Sequence, residues 1–336
     1  MPPKRRKVSV PVSTPVENKR VTRSSVKNKP EALQSHSIGT SKSGQHESTL
    51  GHTSTNVDVG TKVSTTKNPT KDLSSDEDSN GLEGKTPNIS ILSIASDLVN
   101  KPIECHHYKP LSPASSTPPI LIFTHGAGGT LSAPAVQNFC TGFSTSYPVF
   151  AFQGSMNLSH RVKGFHACIP HVDSMRRANR SRMKQKNTRE GILLGGRSMG
   201  ARAAVIAAKE VLDQQWYGVI PKIGLILVSY PLVGPKGTQD LRDQILLDLP
   251  ASVNVLFVIG ERDAMCSLHL LNKTRCKMTA RSQLVVVLGA DHAMHVVPKK
   301  WEKYAGEKTG RVGAAWLNGE FSDDTIHIGG ENKDDW

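Results

Sequence analysis

Ile192-Leu193-Leu194-Gly195-Gly196-Arg197-Ser198-Met199-Gly200-Ala201-Arg202-Ala203-Ala204 is the stretch whose reading decides the fold. A short apolar run predicts a buried strand. The alanine-rich segment from Ala201 to Leu212 predicts a helix, and the Gly-x-Ser-x-Gly turn joins the two. A serine hydroxyl attacks carbon only when a base takes its proton, and a tight strand-to-helix turn lifts Oγ clear of a sheet where base and substrate can reach it. Ser198 is therefore the candidate nucleophile. The flanking glycines permit the turn.

Two later segments follow in the order nucleophile, acid, histidine. Asn254 to Gly260 reads as a buried parallel strand, with Glu261-Arg262-Asp263 on the loop at its carboxyl end. Leu284 to Leu288 reads as another, followed by Gly289-Ala290-Asp291-His292. His292 is then the candidate base, and Asp263 the carboxylate that holds its tautomer and stabilises the imidazolium. Asp291 and His295 are the rivals: Asp291 is too close in sequence to His292 to orient its ring easily, and His295 is expected a turn further on, in a helix.

The upstream run Ile120 to Thr124 predicts a strand, and His125-Gly126-Ala127-Gly128-Gly129 follows it. Glycines let bare backbone N–H groups approach a carbonyl oxygen, and two such donors stabilise a developing oxyanion by several kcal/mol. The expected donors are Ala127 or Gly128 together with Met199. A phosphate-binding loop is disfavoured, because no lysine follows in the Gly-x-x-x-x-Gly-Lys pattern, and a dinucleotide fingerprint is missing. Neither a cofactor nor a metal is expected.

These segments, with Phe150 to Gly154, His160-Arg161-Val162-Lys163, Ser229-Tyr230-Pro231-Leu232, Asp263-Ala264-Met265-Cys266 and Asp291-His292-Ala293-Met294, give the chain a family likeness over about residues 115 to 300. It resembles the α/β-hydrolase-like family that groups subunit 3 of the non-specific-lethal (NSL) histone acetyltransferase complex with a testis-expressed protein. The resemblance implies an α/β-hydrolase fold and, for the NSL branch, a role in a chromatin complex. It implies no particular substrate.

Composition divides the rest. Residues 1 to 90 contain 26 Ser or Thr and no Phe, Trp or Tyr. Such a segment cannot bury enough apolar surface to offset its chain entropy, so residues 1 to 88 are expected to be a disordered tail. Residues 89 to 320 suit one α/β domain: a mostly parallel sheet of eight strands or slightly fewer, helices on both faces. The strands are expected at Ile120 to Thr124, Pro148 to Phe152, Ile192 to Leu194, Ile223 to Ser229, Val253 to Ile259 and Leu284 to Leu288, with Ile89 to Leu98 as an added edge. Residues 321 to 336 look like a short acidic tail.

The 336 residues carry a formal charge of +13. Five scattered cysteines without a Cys-x-x-Cys pair argue against a disulfide framework and a zinc site. No apolar run is long enough for a membrane span, and the expected setting is intracellular. Lys4, Arg5, Arg6 and Lys7 form a basic cluster resembling a nuclear import signal, which points to an import receptor as partner and to the nucleus. Ser74-Ser75-Asp76-Glu77-Asp78 resembles a phosphoacceptor site for an acid-directed kinase. Residues 161 to 189 hold nine basic side chains against Asp173 alone, a candidate patch for nucleic acid or another anion; the plainer reading is the solvated face of a surface helix. Arg197 and Arg202 flank the nucleophile, and at least one is expected to be a buried ion-pair partner tying the turn to a neighbouring loop.

Two functions from different classes follow. One is a serine hydrolase acting on a small-molecule or acylated-protein ester, thioester or amide. The other is a chromatin-associated scaffold that uses the same fold for protein interaction.

Overall fold

The computed structural model describes residues 87–110, 118–183, 191–214, 222–330 and 335–336. The basic cluster at 4–7, the candidate phosphoacceptor site at 74–78 and Lys184, Lys186 and Arg189 lie outside the described residues.

Parallel pairing dominates because the apolar runs alternate with helices. The strands β1 (Asn88–Ile94), β2 (Ile103–Lys109), β3 (Leu121–Thr124), β4 (Val149–Phe152), β5 (Ile192–Arg197) and β6 (Ile223–Val228) come first. A small hairpin, β7 (Val233–Gly234) and β8 (Gly237–Leu241), interrupts them before β9 (Val253–Gly260), β10 (Arg281–Val287) and β11 (Thr325–Ile328). The main sheet runs β1-β2-β4-β3-β5-β6-β9-β10-β11. From β4 to β11 every pairing is parallel, so the carboxyl ends of β3, β5, β9 and β10 open on one side. That is where α/β sheets carry their ligand sites.

Among the described residues six α-helices flank the sheet: α1 (Pro134–Phe143), α2 (Leu158–Met183), α3 (Met199–Asp213), α4 (Gln244–Leu247), α5 (Leu268–Arg275) and α6 (Glu302–Leu317). Successive strand residues feed opposite cores, as period-two geometry requires. Val255, Phe257 and Ile259 join Phe165, Ala204 and Leu271 on one face, while Leu256 and Val258 join Phe139, Phe143 and Ala314 on the other. Burial on both sides explains why these strands read as unbroken apolar runs.

The second face closes unusually tightly where α1 crosses α6. A Cβ on Gly142 would overlap the Glu307 carbonyl, and one on Gly306 would lie 2.5 Å from Asn138 Cβ. Glycine lets the two backbones touch.

Three expectations change. The acidic end is not a tail: Leu284 to Val287 pair in parallel with Thr325 to Ile328, and Trp336 is buried, its ring stacked on Trp301 at 6.3 Å. Nine strands, rather than eight or fewer, form the main sheet among the described residues. The additional inner strand is β2, antiparallel to both β1 and β4. Third, no α-helix follows His292 directly; residues 291 to 298 are irregular, and a short 3-10 helix at Lys299–Trp301 leads into α6 at Glu302.

Candidate active site

Ser198 sits at φ 54°, ψ −116°, a conformation that β-carbon sterics make costly for a non-glycine residue. Its N–H donates to the Val228 carbonyl at 2.8 Å, and its own carbonyl accepts from Arg202 N at 3.2 Å, anchoring the turn to β6 and to α3. Close approach dictates the neighbouring glycines. A Cβ on Gly200 would fall 2.5 Å from the Thr124 carbonyl oxygen, and one on Gly196 would fall 2.5 Å from the Gly200 backbone.

Ser198 Oγ lies 2.9 Å from His292 Nε2, and His292 Nδ1 lies 2.9 Å from both carboxylate oxygens of Asp263. Nδ1 must donate to the carboxylate, which leaves Nε2 as the acceptor for the serine proton. The Asp263 side chain is fully buried and its Oδ1 also accepts from Met265 N at 2.8 Å. Asp263 therefore cannot swing away from the imidazole. The three residues that the sequence order singled out thus meet in one hydrogen-bonded line.

The rivals serve the loop. Asp291 Oδ1 accepts from the amides of Ala293 and His295, at 2.8 and 3.0 Å, and its other oxygen lies 3.5 Å from His295 Nδ1. Burial would raise the Asp291 pKa, but these amides and the His295 ring outweigh it and hold the carboxyl below its usual range. His295 itself is exposed and takes no part in the line to Ser198.

Arg197 fixes the elbow, though not through the ion pair expected. Its Nη2 donates to the His292 carbonyl at 2.6 Å, tying the serine turn to the histidine loop. Burial lowers its pKa, opposed by Asp263 and Asp291. Arg202, half-buried, stands near Arg242, Tyr230 and Asp240 rather than at the triad.

The loop after β3 lies directly over Ser198. A Cβ on Gly126 would sit 3.3 Å from Ser198 Cβ and 2.6 Å from Arg197 Nη1. Of the two candidate oxyanion amides on it, Gly128 N already donates to Met156 Sδ at 2.9 Å, whereas Ala127 N has no acceptor among the described residues. His125 is buried and bridges two loops. Its Nδ1 donates to the Gly126 carbonyl at 2.8 Å, and its Nε2 accepts from Gly154 N at 3.0 Å. Burial, then the Arg161 charge, pushes its pKa down to about 4, against the raising effect of those two backbone bonds.

This depression links to folding. The unfolded histidine binds its proton near the ordinary value of 6.5 and the folded one only near 4, so the stabilisation is complete above pH 6.5 and drains away as pH falls to 4. The shift corresponds to about 3 kcal/mol. Denaturant titrations at pH 7 and pH 4 should therefore show a stability difference that shrinks by roughly that amount in His125→Asn; an unchanged difference would exclude His125 as its source.

The described basic residues of the run between β4 and β5 do not share one environment. Arg161 and Arg176 are buried, Arg176 donating to the Gly191 carbonyl at 3.2 Å, while Lys163 and Arg177 face solvent. Sequence reading missed Arg161 as a site residue, yet the signal was present. Leu158, Arg161, Val162, Phe165, Ile169 and Val172 recur at helical spacing, which puts Arg161 on the apolar face of α2.

A family model described as an alpha/beta hydrolase domain matches residues 117–311. The chain belongs to that family. Among solved structures, this alpha/beta hydrolase is similar to Est1E from Butyrivibrio proteoclasticus, at 14% identity and a TM-score of 0.49, covering 68% of this chain and 99% of that one. It is similar also to an alpha-beta serine hydrolase homologue from Coxiella burnetii, at 19% identity and a TM-score of 0.48, covering 66% and 96% of the two chains. A third is XC6422 from Xanthomonas campestris, described as an a/b serine hydrolase without lid, at 16% identity and a TM-score of 0.44, covering 66% and 94%.

Two cavities differ in their placement on the sheet. One of about 1090 Å³ lies at the amino-terminal ends of β5, β6, β9 and β10, lined by Ile192, Ile223, Asn254 and Arg281, and faces away from Ser198. A smaller one of about 460 Å³ lies beyond the carboxyl end of β4, lined by Phe152, Gly154, Ser155, Ile103 and Lys163. Neither lining includes Ser198, Asp263 or His292; the smaller cavity touches Gly154, whose N–H donates to His125 Nε2 at 3.0 Å. Among the described residues no helix is long and apolar enough to cross a membrane, and no group of three or more His, Cys, Asp or Glu could hold a metal ion.

Proposed function

We propose that the chain is an intracellular serine hydrolase that cleaves an ester, thioester or amide through an acyl-enzyme on Ser198. The observation that carries this reading is the line Ser198 Oγ, His292 Nε2, His292 Nδ1, Asp263, with each separation 2.9 Å. His292 takes the Oγ proton as Oγ bonds the substrate carbonyl carbon, and Asp263 stabilises the imidazolium. The resulting oxyanion accepts hydrogen bonds from Ala127 N–H and Met199 N–H. Collapse breaks the bond to the leaving group, which receives the proton from His292. Water then attacks the acyl carbon, gives its proton to His292, and Oγ recovers that proton as the acid departs. Neither a cofactor nor a metal enters this scheme. Covalent labelling of the purified protein by a fluorophosphonate tests it; a folded protein that remains unlabelled refutes it.

A scaffold role beside chromatin-complex proteins draws on the likeness to the NSL-complex branch and on Lys4, Arg5, Arg6 and Lys7, which also support entry to the nucleus through an import receptor. A tagged chain with those four residues replaced by alanine is expected to spread through the cytoplasm. Continued nuclear concentration would assign retention to a partner or to the second basic run, and would favour the scaffold over the enzyme.

A further inference from the structure

Arg161 is a fully buried arginine without a carboxylate partner among the described residues. All of its hydrogen bonds go to backbone carbonyls. Nε and Nη2 bond the Ser155 carbonyl at 3.0 and 2.6 Å, Nη2 bonds that of Gly154 at 3.3 Å, and Nη1 bonds those of His125 and Gly126, the latter at 3.2 Å. Removing such a charge from water costs several kcal/mol, and carbonyl dipoles do not neutralise it. Burial lowers its pKa only to about 10, so the cation persists at neutral pH. A fold in need of glue alone has cheaper choices, an apolar side chain or an ion pair.

We propose that Arg161, assisted by His125, is a positioning residue that aims and polarises the Ala127 N–H as the oxyanion donor. This rests on the serine-hydrolase reading. The Gly126 carbonyl oxygen accepts from His125 Nδ1 at 2.8 Å, Arg161 Nη1 at 3.2 Å and Gly129 N at 3.4 Å. Gly126 C=O and Ala127 N–H belong to one planar peptide unit, which is trans. Three donors pulling on the oxygen therefore set the opposite direction of the N–H. They also draw electron density from the amide, which strengthens it as a donor through the cooperativity of chained hydrogen bonds. The guanidinium itself stands behind the loop as a fixed positive charge, in a water-excluded place where the negative charge of the intermediate would feel it. Gly154 secures the arrangement, since a Cβ there would fall 2.7 Å from Arg161 Nε.

The test uses the full chain and p-nitrophenyl acetate as substrate. Arg161→Gln is expected to lower kcat by about 10²-fold, with KM changed by no more than about threefold, because a misaimed donor is lost chiefly in the transition state. Inhibition by phenylboronic acid, which forms a tetrahedral adduct on serine, should weaken by the same factor as kcat/KM. Arg161→Lys should fall between the two. A role confined to loop stitching would instead raise KM or lower stability without this parallel, and a folded Arg161→Gln protein with unaltered kcat overturns the proposal. Should the glutamine variant fail to fold, the wild-type protein labelled with ¹⁵N-alanine decides. Phenylboronic acid must move the Ala127 amide proton downfield, and an unmoved Ala127 resonance overturns the proposal. Wild-type protein inert to both p-nitrophenyl acetate and a fluorophosphonate overturns the hydrolase reading itself.

Discussion

Ser198→Ala is expected to abolish fluorophosphonate labelling and to lower kcat/KM for an activated ester by about 10⁵ to 10⁶-fold, while the thermal unfolding transition persists. Removal of a nucleophile or its base costs this much because the groups act as one unit. His292→Ala should match it, since Nε2 is the acceptor that Oγ faces. Asp263→Asn should fall less, by about 10⁴-fold, because the carboxylate orients the ring and stabilises its charge without taking the proton. His295→Ala is the control: its exposed ring faces Asp291, so activity should stay within about threefold. Loss of labelling in His295→Ala with survival in His292→Ala would overturn the assignment of the base.

The second large effect concerns stability. Gly142→Ala is expected to destabilise the fold by at least about 3 kcal/mol, a sign opposite to the one helix propensity gives. Alanine in a helix interior is favoured over glycine by about 1 kcal/mol. At position 142, however, the added methyl overlaps the Glu307 carbonyl, and neither α1 nor α6 can move without opening the Phe139 and Phe143 core. Overpacking against backbone exceeds the propensity gain. Gly313, in α6 on the other side of the same contact, isolates the cause, because a Cβ there would lie 3.5 Å from the Phe139 and Phe143 rings, an ordinary contact. Gly313→Ala should be neutral or stabilising by up to about 1 kcal/mol. Denaturant titration of both variants compares the terms, and equal effects would refute the steric account.

The sheet and the triad were legible in the sequence for one physical reason. Strands buried on both faces leave continuous apolar runs, and in a parallel sheet the functional loops must follow such runs at their carboxyl ends. Ser198, Asp263 and His292 could therefore be ranked by what preceded each of them. β2 was hidden because its buried positions, Ile103, Cys105 and Tyr108, are interrupted by the exposed Glu104 and the partly buried His106 and His107, as befits a strand one place from the edge. β11 was hidden by its acidic surroundings; only Ile326 and Ile328 mark it, and what makes it a strand is the open edge of β10. The helix expected after His292 failed because Asp291 turns the chain back on itself, with Met294 at φ 65°. The two oxyanion amides could not be separated by sequence at all. Their difference is the Met156 sulfur, which arrives from a loop 28 residues away.

The backbone at Ser198 gives the fold a quarrel with itself. Holding a serine at positive φ costs on the order of 1 to 3 kcal/mol, which glycine at the same place would largely avoid. That is a sizeable share of the 5 to 15 kcal/mol by which domains usually stay folded. A lineage that used this domain only as a surface for other proteins would gain durability by surrendering the side chain. Under the hydrolase reading proposed above, the reactivity of Ser198 is what such a cost would be set against.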